Sequence, residues 1–115
     1  MRSIIAVVAL LFALVLAWAR SAGAETCRAS YYGAESGRTT ASGARFRPSG
    51  LTAAHRSIPF GTRLRVVYGA RSVVVTVNDR GPFVHDRCLD LSLGAARAIG
   101  LSDRGVDIVD FERVE

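Results

Sequence analysis

Val77-Asn78-Asp79-Arg80-Gly81-Pro82-Phe83, a three-residue bridge, and Arg87-Cys88-Leu89-Asp90-Leu91-Ser92 form the stretch on which the reading of this chain turns. It follows Ser72-Val73-Val74-Val75-Thr76-Val77, a β-branched run that reads as a strand. A strand ending in Asn-Asp-Arg-Gly-Pro lifts an acid and a base out of a sheet and then turns. Gly81 tolerates backbone conformations closed to other residues, and Pro82 fixes φ and ends the ladder. The second segment is a short apolar strand interrupted by Asp90. Two aspartates at neighbouring strand ends make a candidate acid site.

Upstream, Thr62-Arg63-Leu64-Arg65-Val66-Val67-Tyr68 alternates as a half-buried strand, and Tyr68-Gly69-Ala70-Arg71 turns it into the Val-rich run as a hairpin. Cys27–Tyr32 opens the domain as a strand, Leu51–Ala54 is a short strand delivering His55, and Val106–Phe111 closes the sheet. Between Gly33 and Gly50 lies a long Gly/Ser/Thr/Arg-rich loop in which Phe46 is expected to anchor on the body of the protein. One helix is expected, with Ser92 as N-cap and Gly100 just past its end. Short strands, Gly/Pro turns and a single helix indicate a mainly β fold, a small barrel.

At 115 residues the chain holds one domain at most. Residues 1–24 read as a secretory signal peptide: Arg2, an apolar run from Ile4 to Ala19, and the small-residue site Ala22-Gly23-Ala24. The apolar run is shorter than the roughly 20 residues that span a bilayer, so no membrane span is expected after cleavage. The domain is then 25–115, exported to the periplasm or beyond. Removing Arg2 and Arg20 leaves 13 arginines against 10 acids, with no lysine anywhere. An exported basic protein rarely meets nucleic acid, so an anionic cell-wall polymer is the natural partner; a solvated basic face with no specific partner is the alternative. Cys27 and Cys88, in an oxidising compartment, are expected to form a disulfide. Lipid attachment at Cys27 is the rival reading, but Ala24-Glu25-Thr26 is not a lipobox. No metal or other cofactor is expected, since nothing near the cysteines completes a ligand set.

The central stretch also resembles the rare lipoprotein A-like group of double-psi β-barrel proteins. Ala29-Ser30-Tyr31-Tyr32-Gly33, Thr40-Ala41-Ser42-Gly43 and Leu51-Thr52-Ala53-Ala54-His55-Arg56-Ser57-Ile58-Pro59-Phe60-Gly61-Thr62 match in the same order. The resemblance covers roughly residues 27 to 111 and implies a six-stranded double-psi barrel with one short helix. It implies a lytic transglycosylase that cuts peptidoglycan glycan strands to 1,6-anhydro ends, working as a monomer. Asp79 stands where relatives have a catalytic acid and His55 where they have a histidine. Asp90 resembles an acid of the cellulase and expansin relatives. Each has a plainer reading: Asp79 capping a turn or pairing with Arg80, His55 as a structural hydrogen-bonder, Asp90 serving the helix start. Tyr31, Tyr32 and Phe83 are candidate sugar-stacking rings, although strand alternation sends one of the two tyrosines into the core. Arg80 is a candidate for a lactyl carboxylate.

One departure from the pattern matters. Active relatives usually continue Thr-Ala-Asn/Ser-Gly with Glu and carry another acid shortly after, where this chain has Ala44 and Arg47. Low activity is therefore expected, and a glycan-binding, expansin-like barrel that does not cut is the alternative. A barrel that inhibits or docks on other proteins is the third class.

Overall fold

The computed structural model describes residues 23–33 and 39–114. The leader expected over residues 1–24 lies outside these, apart from its last two residues. Six strands close into a barrel: β1 Glu25–Tyr32, β2 Thr52–Ala54, β3 Arg63–Tyr68, β4 Arg71–Asp79, β5 Arg87–Ser92 and β6 Asp107–Val114. Around the barrel the order is β1-β5-β2-β4-β3-β6, with β6 pairing back to β1. Pairs β1/β5 and β2/β4 are parallel and the other pairings antiparallel. The hairpin β3–β4 keeps one register from Arg63↔Thr76 to Tyr68↔Arg71, as its alternating apolar residues require.

Inside the barrel, Leu64, Val66, Val75, Val77, Leu89, Leu91, Val109 and Phe111 form one core with Ala29 and Ala53. Helix α1, Leu93–Ile99, plugs it with Ala95, Ala96 and Ile99. Ser92 caps α1 by accepting the Ala95 N–H, and Gly100 ends it at φ 82°. The Ser92 hydroxyl is also fully buried, donates to Gly50 O at 2.6 Å and accepts from Thr52 N at 3.2 Å. One side chain thus ties the helix, β2 and the end of the long loop together. Gly94 completes that junction, since a Cβ there would sit 2.6 Å from Ser49 O. Ser92→Ala is expected to lower stability by about 2 kcal/mol, a lost cap plus a stranded buried carbonyl, read as a reduced urea midpoint.

Cys27 and Cys88 are joined in a disulfide between β1 and β5, with Cα atoms 5.9 Å apart. The loop described from Thr39 to Gly50 folds back on the outside of the wall. Ser42 N donates to Asn78 O, Gly94 N donates to Pro48 O, and Phe46 is buried against Tyr32 and Ala54. Phe46 is therefore the anchor that the loop composition suggested.

Candidate active site

Strand parity builds the site. On β1, β2 and β5, Ala29, Ala53, Leu89 and Leu91 face the main core. Their neighbours Ser30, Tyr32, Ala54 and Asp90 stand on the opposite face. Simple alternation on β4 would send Asp79 inward with Val77. The register instead slips by one residue between Ala53↔Val77 and Ala54↔Asp79. That irregularity absorbs Asn78 and turns Asp79 outward, the usual effect of a β-bulge. Asp79 therefore lies in the wall at the end of β4, two residues further along the strand than the Val-rich run suggests.

Ala54 then pairs with Asp79 on one side and Asp90 on the other. The two acids are separated by two strand spacings, about 10 Å between backbones. Only a methyl group lies between them in the row. Asp90 in turn pairs with Ser30, whose hydroxyl donates to Asp90 Oδ1 at 3.0 Å. Asp79 Oδ1 accepts the N–H of Ala41 and of Arg80, both at 2.9 Å. The turn-capping reading of Asp79 is thus part of its structure, and the bond from Ala41 fixes the long loop over the acids. The helix start is capped by Ser92.

Above Ala54 lies Tyr32, its ring stacked on Phe46 at a centroid distance of 4.8 Å. Burial raises the Tyr32 pKa strongly, and the charges of Asp79 and Asp90 push the same way. The phenol therefore stays protonated beside both carboxylates. It is buried without a hydrogen-bond partner of ordinary geometry, as is the Thr52 hydroxyl. The neighbouring Thr52 hydroxyl acts weakly against the rise in the Tyr32 pKa.

The three candidate rings stand in different surroundings. Tyr32 is spent under Phe46. Tyr31 packs against the main core and donates its hydroxyl to Ser102 O at 3.3 Å. Tyr31 remains partly exposed. Phe83 is 82% exposed.

His55 and Arg80 also stand apart from the expected arrangement. The His55 ring lies edge-on to Phe111 at 6.1 Å, and its Nδ1 accepts the N–H groups of Ser57 and Ile58. Among the described residues no hydrogen bond joins this ring to the Asp79 carboxylate; the link is backbone, His55 N to Asp79 O at 3.2 Å. Arg80 turns from Asp79 to donate to His55 O and Ile58 O, and its guanidinium lies 3.9 Å from the Phe60 ring centre. These two residues build the turn after β2. For His55 this is the structural hydrogen-bonding role that the sequence left open beside the catalytic one.

Burial lowers the His55 pKa below 6.5; Glu25 opposes this, while Arg80, Arg56 and Arg113 reinforce it. The folded protein thus holds the ring neutral, as its two accepted bonds demand. Below pH 6.5 the unfolded chain takes up the proton first, so stability is full above 6.5 and declines as pH falls. Urea midpoints from about pH 7.5 to about pH 5 should fall in the wild type and fall less in His55→Asn.

A cleft of about 650 Å³ opens around His55, Ile58, Phe111 and the charged residues Glu25, Glu112 and Arg113. It contains neither aspartate.

Comparison with known proteins agrees with this architecture. The family model described as "Lytic transglycolase" matches residues 24–111. A Nostoc protein named "Probable endolytic peptidoglycan transglycosylase RlpA" is 55% identical over an alignment of 89 residues that covers 73% of this chain and 24% of that one. The Pseudomonas aeruginosa "Endolytic peptidoglycan transglycosylase RlpA" is 41% identical over 90 residues, 76% of this chain and 26% of that one. The chain thus spans about a quarter of the length of these relatives. Among solved structures, the Streptomyces papain inhibitor superposes with TM-score 0.68 at 23% identity, covering 82% of this chain and 96% of that one. A Clavibacter michiganensis expansin variant in complex with cellohexaose superposes with TM-score 0.66 at 24% identity, covering 80% and 50%. Both structures share the six-stranded double-psi barrel fold. With its family match running from the first strand into the last, this chain belongs to the lytic transglycolase family.

Proposed function

We propose that this protein is an exported lytic transglycosylase that cleaves peptidoglycan glycan strands and leaves 1,6-anhydro-muramic acid ends. The observation that supports this reading is the Asp79–Ala54–Asp90 row, two partly exposed acids on the strands flanking β2 in a chain of this family. Asp79 Oδ1 is engaged by two N–H donors, so the transferable proton belongs on Oδ2. That carboxyl protonates the glycosidic oxygen as its bond to C1 breaks. The carboxylate left behind takes the proton of the muramic 6-hydroxyl as O6 bonds to C1. The acid is regenerated and no water is consumed, so no second carboxylate need act as base or nucleophile. Asp90, fixed by Ser30, supplies negative charge toward the positive character developing at C1.

Export follows from the leader-like residues 1–24, and among the described residues no helix is long and apolar enough to cross a membrane. The mature amino terminus should be Glu25, which N-terminal sequencing decides; a lipid-modified Cys27 would contradict it. Peptidoglycan as substrate rests on the names of the relatives, and the protein should act as a monomer.

Ala44 and Arg47 favour the second reading, a barrel that binds glycan without cutting it. The loop bearing them touches Asp79 through Ala41. Acids restored there would add like charge near the carboxyl and favour its protonated form. Ala44→Glu with Arg47→Asp is therefore expected to raise the rate at which labelled, peptide-stripped sacculi are solubilised, by roughly tenfold. Binding of wild type and variant to sacculi with no solubilisation by either would favour the second reading.

A further inference from the structure

The turn after β2 and the loop after β4 hold each other. Arg80, next to Asp79, donates to the carbonyls of His55 and Ile58. Arg56, within that turn, reaches the other way: its Nε donates to Pro82 O at 2.8 Å and its NH2 to Val84 O at 2.9 Å. These two carbonyls flank Phe83 on either side. The Val84 carbonyl also receives Arg87 N at 3.4 Å. The Phe83 ring edge lies over Gly81, where an added Cβ would sit 3.5 Å from Cδ2 and Cε2. An aromatic side chain that is 82% exposed has no packing role to justify such bracing. Two bonds that fix the backbone on either side of this ring reduce the freedom that binding would otherwise remove.

We propose that Arg56 is a positioning residue that presents Phe83 as a fixed apolar platform for a sugar ring beside Asp79. This rests on the glycan-cleaving reading for its ligand, and it adds a binding subsite and the residue that builds it. The planar guanidinium matters because it aims N–H groups from two separate nitrogens in a fixed fork, which the single ammonium nitrogen on the flexible stem of a lysine does not reproduce. The positive charge itself is not the working element.

Two measurements test this. The first is binding to peptide-stripped sacculi by pelleting, with melting temperature recorded for each variant. Phe83→Ala should weaken binding roughly tenfold, the scale of one stacked ring. Arg56→Ala should weaken it several-fold, and the double variant should bind no more weakly than Phe83→Ala alone, because both act through one ring. Arg56→Lys should remain weakened. The second measurement uses Phe83→Trp; because the one native tryptophan is Trp18, in the leader, the introduced indole is a clean probe. Its fluorescence anisotropy should drop when Arg56→Ala is added. Wild-type binding by Arg56→Ala, effects that add in the double variant, full rescue by Arg56→Lys, or unchanged anisotropy would each overturn the proposal. If the wild type releases no anhydro fragments while these binding differences hold, the cleavage reading falls and the platform stands.

Discussion

Asp79→Asn is expected to reduce release of anhydro-ended fragments by roughly 10²–10⁴-fold, the usual worth of a positioned acid, while leaving sacculus binding intact. The structure explains why the substitution should be benign to the fold. Asn retains an Oδ1 that can accept the N–H groups of Ala41 and Arg80, so the loop bearing Phe46 stays seated. What is lost is the proton on the other oxygen. Loss of binding along with activity would mean that Asp79 serves the loop and not the chemistry. Residual cleavage to reducing ends would move the acid to Asp90, which the same row places across Ala54.

The largest effect on stability should come from the disulfide. Cys27–Cys88 closes a 61-residue interval, and in the chain-entropy model a loop of that length stabilises the fold by about 4 kcal/mol. For a domain this small that is a large share of the total. Cys27→Ser with Cys88→Ser should lower the melting temperature by roughly 20 °C. A drop of only a few degrees would show that the β1–β5 pairing holds without the crosslink. Alkylation of denatured, unreduced protein should label neither cysteine.

Local periodicity carries the parts of this fold that are local. The β3–β4 hairpin is written in the alternation of Leu64, Val66, Val75 and Val77, and helix α1 in Ser92 and Gly100. The parallel pairings β1/β5 and β2/β4 join segments distant in sequence, and no local period records them; the double-psi order followed from the family resemblance. The acids were legible as residues but their common face was not. That face depends on one slipped residue at Ala53/Ala54, and a slip of one reverses which side a strand residue occupies. His55 and Arg80 show the opposite difficulty. Their residue types suggest ligand contact, yet the hydrogen bonds they make are to the turn between Ala54 and Arg63. Arg56 gave no signal in sequence, because a surface arginine that braces a loop looks like any other.

The central claim is that the row Asp79–Ala54–Asp90 cuts glycan with the sugar's own hydroxyl as nucleophile. Mass spectrometry of fragments released from peptide-stripped sacculi tests this most directly. The account predicts muramic ends one water lighter than a hydrolysis product, from the wild type and absent with Asp79→Asn. Fragments carrying ordinary reducing ends, or anhydro ends undiminished in Asp79→Asn, would contradict it.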